Sequence, residues 1–369
     1  MIRILHVVSS LNINAGMMSV LMNCYRNIDR NRIQFDFLAL YDCAESHESE
    51  IRSLGGRTFL LKNTALLPFN QKGVRIFFRE HRNEYAAVHC HPIWGAELVA
   101  REAKKAGVRH IIQHSHSTRF AESRKSEIRN RFLLKFIGLY ATDYIACSPE
   151  AAFLFGKRRA QSGQVMILPN SIDTRQYSFD GSLRRSFREE YGIAEETEVI
   201  GNVGRMAAPK NQLFILDIFS AFLRIRPDSV LFIVGDGELR GEIEKKIEEL
   251  KLGSSVVLTG KRRDIRAVLS GLDLFLMPSV FEGVPLSALE AMSSGLPCLV
   301  SDSVTRSICA EGVTFFPLEK TPEEWARQCA AALDSARGKD RTRVSGMIEE
   351  KFDIRQTAKR LESFYLELV

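Results

Sequence analysis

The chain has 369 residues, 45% hydrophobic and 26% charged, a balance that suits about two folded domains and excludes disordered and collagen-like classes. Net charge is +6, but residues 1–170 hold 24 Lys and Arg against 14 Asp and Glu, and the remainder 27 against 31. A basic first half suits contact with an anionic surface such as a phospholipid headgroup layer. No stretch approaches the roughly 18–20 unbroken apolar residues of a membrane helix. The N-terminus runs straight into an apolar segment interrupted by His6, with no small-residue cleavage site following. A cytoplasmic protein without a signal peptide is expected. Seven cysteines lack any C-x-x-C pair, so neither a disulfide framework nor a structural zinc site is expected.

Apolar, β-rich runs alternate with longer amphipathic ones along the whole chain. Strands are predicted at 2–8, 35–40, 57–61, 87–90, 110–113, 144–147 and 165–168, with helices at 17–26, 74–84, 95–105 and 126–141. After the junction near Pro169-Asn170-Ser171-Ile172-Asp173, residues 178–186 read as a polar stretch without periodicity. Strands then follow at 199–203, 230–234, 256–258, 274–277 and 298–301. Helices follow at 211–224, 237–250, 265–270, 285–292, 322–335 and 354–368. This alternation predicts an α/β protein with two Rossmann-like parallel-sheet domains, 1–170 and 171–353, and ligands in a central cleft at the carboxyl ends of the strands.

Four places could carry chemistry. The loop Ser9 to Met17 offers a helix N-terminus to an anion, but Gly16 is its only glycine, which argues against a nicotinamide or flavin site. His89 and His91, and then His114 and His116, fall two apart at strand ends, a spacing that could suggest a metal. No carboxylate stands nearby in sequence, so no metal is expected. The better reading is one cleft-facing histidine that meets a sugar hydroxyl or a developing charge.

The third place, Gly204-Arg205-Met206-Ala207-Ala208-Pro209-Lys210-Asn211, sets two cations between a buried strand and a helix start. Arg205 can bind a diphosphate as a fork and Lys210 as a point charge. The fourth runs from Phe281 to Pro297. Pro285 fits a first helical turn, Leu286 and Ser287 offer free N–H groups, and Glu282 and Glu290 bracket the helix start. Two carboxylates so placed can grip the ribose and the hexose of a nucleotide sugar.

These blocks, together with Val234-Gly235-Asp236-Gly237, Thr259-Gly260, Met277-Pro278-Ser279 and Gly295-Leu296-Pro297, resemble the family 4 glycosyltransferases, retaining enzymes of the GT-B fold. Within that family, Gly16-Met17-Met18 through Arg30 and Phe35-Asp36-Phe37 look like the capsular and exopolysaccharide branch.

The resemblance implies transfer of a hexose or N-acetylhexosamine from a nucleotide diphosphate sugar, UDP favoured, to a glycan or lipid-linked acceptor. It implies Arg205 and Lys210 on the leaving diphosphate, Glu290 on the ribose, and Glu282 with Gly283, Val284, Leu286 and Ser287 around the donor. It implies His116, with His114 competing, near the donor sugar, and Gly16 at the end of the N-terminal loop. It also implies that the helix at 354–369 packs back onto the first domain, and that no metal or other cofactor is required. The chain departs from the pattern where Ala15 replaces a frequent second glycine and Met18 a glutamate.

Residues 119–135 carry Arg119, Arg124, Lys125, Arg129, Arg131 and Lys135 against Glu122 and Glu127, interleaved with Phe132, Leu133, Leu134, Phe136 and Ile137. They are expected to form an interfacial helix on anionic lipid, with Lys157-Arg158-Arg159 adding to it, and so a peripheral association with the inner membrane face. The loop Lys261-Arg262-Arg263 is expected beside the nucleotide base. Two other functions compete, a nucleotide-sugar epimerase and a non-catalytic nucleotide-sugar-binding subunit. No motif supports nucleic-acid binding.

Overall fold

The computed structural model describes residues 1–61, 71–121, 124–342 and 346–368. They divide into two units, Met1–Ser171 with Ile354–Val369, and Ile172–Asp353. Each unit is built on one parallel sheet.

The first sheet has seven strands: β1 (Ile2–Val8), β2 (Ile33–Ala39), β3 (Thr58–Leu60), β4 (Ala87–Cys90), β5 (His110–Ser115), β6 (Asp143–Ala146) and β7 (Val165–Ile167). Their order is β3-β2-β1-β4-β5-β6-β7. The β1 and β2 runs are buried or nearly so along their length, as strands covered on both faces must be. Ile4, Phe35 and Phe37 pack with Leu21 and Tyr25 of the helix Gly16–Asn27 and with Leu361 and Tyr365 of the helix Ile354–Glu367. Each such buried side chain contributes about 1.5–3 kcal/mol.

Asp36 is the exception inside β2, fully buried and ionic. Arg3 and Arg57 reach it at 2.6 and 2.7 Å. Burial alone raises a carboxylate's pKa, but the hydrogen bonds of the two guanidiniums win and hold Asp36 below its ordinary value.

The second sheet has six strands: β8 (Val199–Val203), β9 (Val230–Val234), β10 (Val256–Gly260), β11 (Leu274–Met277), β12 (Cys298–Ser301) and β13 (Val313–Phe316). Their order is β10-β9-β8-β11-β12-β13. Phe219, Phe222, Leu231, Ile233 and Trp325 centre its core. In both sheets the first strand lies mid-sheet, where the order reverses and the carboxyl ends open a crevice for ligands.

Three differences from the sequence reading stand out. Residues 178–186 are not a structureless polar stretch: a helix, Gly181–Glu190, begins there. Asp180 caps it by accepting from the N–H groups of Ser182 and Leu183, and only Phe187 and Arg188 of the helix are buried. The edge strand β13 lies outside the predicted set, because its four residues are only half-buried and leave no continuous apolar signature. In the helix Arg124–Ile137, Leu134 and Ile137 face inward. The exposed apolar residues are instead Ile128, Phe132 and Phe136, with Leu139 beyond the helix end. Glu122 lies outside the described residues.

Candidate active site

In the second unit, the loops after β8 and β9 hold each other by backbone. Gly204 N–H donates to the Val234 carbonyl at 2.9 Å and Met206 N–H to that of Asp236 at 3.0 Å. The approach is closer than a side chain allows: a Cβ on Gly235 would lie 2.0 Å from the Gly204 oxygen, and one on Gly237 2.3 Å from that of Met206. Gly235 also has φ of 134°, a conformation open to glycine.

The Gly204–Asn211 loop is fixed from the other side as well. Asn211, with φ of 60°, donates its side-chain amide to the Pro278 carbonyl at 3.0 Å, and Val280 N–H donates to the Pro209 carbonyl at 2.8 Å. Gln212 donates to the Arg205 carbonyl at 2.9 Å. The loop that carries both cations is thus clamped between the ends of β9 and β11.

Lys210 extends from it over Gly204, where an added Cβ would come 3.2 Å from its Cε. Its Nζ lies 2.6 Å from Oε1 of Glu282. Arg205 is mostly exposed and pairs with Glu238 at 2.9 Å. The helix Leu286–Ser293 starts just beyond, with Pro285 extended at its N-cap rather than in its first turn, and no side chain caps it. Gly283, Val284 and Pro285 are buried, whereas Leu286 and Ser287 are half-buried.

Burial pushes the Glu290 carboxyl up to about 7, against a hydrogen bond from Tyr177 and the charge of Lys210. The structure therefore brings Lys210, Glu282 and Glu290 to one focus at the carboxyl edge of the sheet, with Arg205 at its exposed margin. Arg262, in the loop after β10, is tied to Glu190 and Asp264, both at 2.6 Å. A cavity of about 1470 Å³ in this unit lies elsewhere, lined by residues such as Glu198, Asp273 and Pro297 at the amino ends of strands.

In the first unit, Gly16 opens its helix in an exposed position, and among the described residues nothing lies within 4 Å of where a Cβ would be. Met18, two residues on, is buried in the core. His6 of β1 joins the four histidines singled out from sequence. Two hydrogen-bonded series run through the five rings. In one, His6 Nδ1 meets His91 Nε2 at 3.0 Å, His91 Nδ1 meets His116 Nε2 at 2.8 Å, and His116 Nδ1 meets Asn170 Oδ1 at 3.3 Å. In the other, the Tyr365 hydroxyl meets His89 Nδ1 at 2.6 Å and His89 Nε2 meets His114 Nδ1 at 3.2 Å.

Burial drives all five imidazoles below their ordinary pKa, His6 to about 3 and His116 to about 4. His116 is half-buried and the other four are buried. The apolar character of β1 hid His6 in the sequence. Its only signal was a lone polar residue inside an apolar run.

A family model for group 1 glycosyl transferases matches residues 197–335. Over 98% of its length the chain is 33% identical to the putative glycosyltransferase EpsF of Bacillus subtilis (strain 168), covering 96% of that protein. The chain belongs to the group 1 glycosyltransferases. This glycosyltransferase is also 26% identical, over 66% of its length and 64% of the relative's, to the Escherichia coli UDP-Gal:alpha-D-GlcNAc-diphosphoundecaprenol alpha-1,3-galactosyltransferase. Anabaena HepE, solved in complex with UDP, matches it with a TM-score of 0.82 at 17% identity, covering 100% of both chains. The fold is GT-B, with two Rossmann-like parallel sheets of seven and six strands.

Proposed function

We propose that this glycosyltransferase moves a hexose or N-acetylhexosamine from a UDP-sugar to a glycan or lipid-linked saccharide, with retention at the anomeric carbon, in exopolysaccharide or capsule synthesis. The observation that carries the reading is the Lys210–Glu282 pair beside Glu290 at the end of a buried sheet. The UDP held by HepE and the lipid-linked acceptor in the name of the E. coli relative support the choice of donor and acceptor.

Breaking the bond between anomeric carbon and diphosphate builds negative charge on the departing phosphate. Lys210 supplies a fixed cation there, Arg205 a forked one, and the uncapped N–H groups at Leu286 and Ser287 add partial positive charge. This set neutralises the leaving group with side chains and backbone alone. Glu290 accepts from the ribose hydroxyls and Glu282 from the sugar, with Gly283 and Val284 lining their approach. On the first unit, His116 is assigned to a hydroxyl of the reacting sugars, with Gly16 at the loop end. The acceptor hydroxyl attacks on the face that the phosphate leaves, and the phosphate takes its proton.

Incubation with UDP- and GDP-sugars and a panel of lipid-linked acceptors tests the reading. A transferred sugar with inverted linkage, or an epimerised donor in place of transfer, overturns it.

We also propose that the protein docks on an anionic membrane surface. No helix among the described residues is long and apolar enough to cross a membrane. The helix Arg124–Ile137 exposes Ile128 at 67% and Phe132 at 60%, amid Arg124, Lys125, Arg129, Arg131 and Lys135. An apolar stripe within basic flanks suits the headgroup boundary. Flotation with phosphatidylglycerol vesicles tests it: binding that is lost in Phe132→Ser supports the surface, and equal recovery with neutral vesicles refutes it.

A further inference from the structure

The histidine cluster has a feature that hydrogen bonding among the rings leaves unexplained. Eight of its ten ring nitrogens have partners, whereas His114 Nε2 and His6 Nε2 are buried with none among the described residues. One ring nitrogen each of His91, His114 and His116 lies within 4.8 Å of those of the other two. We propose that these three residues form a binding site for a divalent transition-metal ion, with Zn2+ the ion that fits.

Imidazole nitrogen is a donor for Zn2+, and three histidines with one open position make a complete protein ligand set. Zn–N bonds of about 2.0–2.1 Å at tetrahedral angles put ligand nitrogens about 3.3 Å apart. The His91–His116 pair, at 2.8 Å, must therefore open by about half an ångström, a ring rotation rather than a backbone shift.

The outer partners fit as well. A metal-bound histidine almost always donates its other N–H to an acceptor, which fixes its tautomer. With an ion on His116 Nε2, His116 Nδ1–H points to Asn170 Oδ1. With an ion on His91 Nδ1, His91 Nε2–H meets His6 Nδ1. With an ion on the unpartnered His114 Nε2, His114 Nδ1–H meets His89 Nε2. Every ligand then has its second hydrogen bond, and the orphaned His114 nitrogen gains a partner. A second trio, His6, His89 and His91, also lies close enough, but all three of its members are fully or nearly fully buried. The half-buried His116 gives the outer trio a route to solvent and leaves the fourth position for water or a hydroxyl.

The site lies in the first unit, whereas the residues assigned to the diphosphate lie in the second. Of the three ligands only His116 is also assigned to a reacting sugar, and ion binding is read with no nucleotide sugar present, so its failure and a failure of the donor assignment are distinguishable. Chelator-treated full-length protein is titrated with Co2+ and, separately, with Zn2+. One equivalent of Co2+ is expected to give the intense visible bands of four-coordinate, nitrogen-ligated cobalt. One equivalent of Zn2+ is expected to displace it and raise the melting temperature. His114→Gln should abolish the bands, and Asn170→Ala should weaken binding about 10–100-fold. His81→Ala, outside the cluster, should change neither.

Circular dichroism checks that each variant is folded. Should His114→Gln not fold, the Asn170→Ala affinity decides. Absence of stoichiometric binding, Co2+ bands in the folded His114→Gln protein equal to those of the wild type, or unchanged affinity in the folded Asn170→Ala protein overturns the proposal.

Discussion

Lys210 Nζ sits 2.6 Å from Oε1 of Glu282, with both side chains only 20% and 16% exposed. A partly desolvated pair of this kind holds both groups in one geometry before any ligand arrives, so the cation needs no reorganisation when the phosphate departs. Lys210→Ala removes the charge from the leaving group and leaves Glu282 half-buried without this partner. Turnover should fall about 10²–10³-fold with the fold intact, by analogy with lost electrostatic donors. Steady-state transfer rates and a melting curve check it. Arg205→Ala, at a more exposed site, should lose less.

Gly235→Ala should damage the same site without touching a charge. The new Cβ would lie 2.0 Å from the Gly204 carbonyl, on backbone that already has φ of 134°. The loop bearing Arg205 and Lys210 must move, at a stability loss of about 1–3 kcal/mol or more. Urea unfolding reads the loss, and a drop in nucleotide affinity reads the displaced loop. Gly241→Ala, with nothing within 4 Å of its Cβ, serves as the tolerated control.

Glu290 should make the second unit less stable at high pH. Burial raises its pKa in the fold to about 7, above the ordinary carboxylate value of about 4.5, so the folded state binds more protons than the unfolded one in that window. Its contribution to stability is fully present below about 4.5 and is lost as pH rises toward and through 7. Glu290→Gln removes this dependence. The variant should be more stable than wild type at pH 8 and yet bind nucleotide more weakly. Melting temperatures from pH 5 to 8 and a nucleotide titration separate the two effects.

The histidine cluster gives the first unit the opposite slope. Each of its five imidazoles has a folded pKa below the unfolded value of about 6.5. The unfolded state therefore takes up more protons as pH falls below that value, and stability drops. The loss continues down to the folded values, about 4 for His116 and about 3 for His6. Each ring contributes up to about 1.4 kcal/mol per pH unit in the metal-free protein. Hydrogen exchange of β1, β4 and β5 should lose protection between pH 6.5 and 4.5. Constant protection across that range contradicts the neutral buried cluster.

How far the sequence could be read depended on how strongly burial marks a residue type. Strands such as Val199–Val203 and Val230–Val234 are covered on both faces and read as unbroken apolar runs. The half-buried β13 does not, and the helix Gly181–Glu190 shows so little apolar periodicity that only its Asp180 cap marks its start. In the helix Arg124–Ile137, apolar residues occur on both faces, so the sequence could not tell the inward Leu134 and Ile137 from the outward Ile128 and Phe132. At the site, Arg205, Lys210, Glu282 and Glu290 were legible because glycine and proline punctuate the loops that hold them. The partnership of His6 with four distant histidines was not, because register between β1, β4 and β5 creates it.

The cations at the carboxyl edge of the second sheet are assigned to a nucleotide's diphosphate. Calorimetric titration of UDP and GDP into the wild-type protein and Lys210→Ala decides this assignment. UDP should bind the wild type and lose at least about tenfold in affinity, about 1.4 kcal/mol, in the variant. Unchanged affinity in Lys210→Ala, or no binding of either nucleotide to the wild type, contradicts the claim.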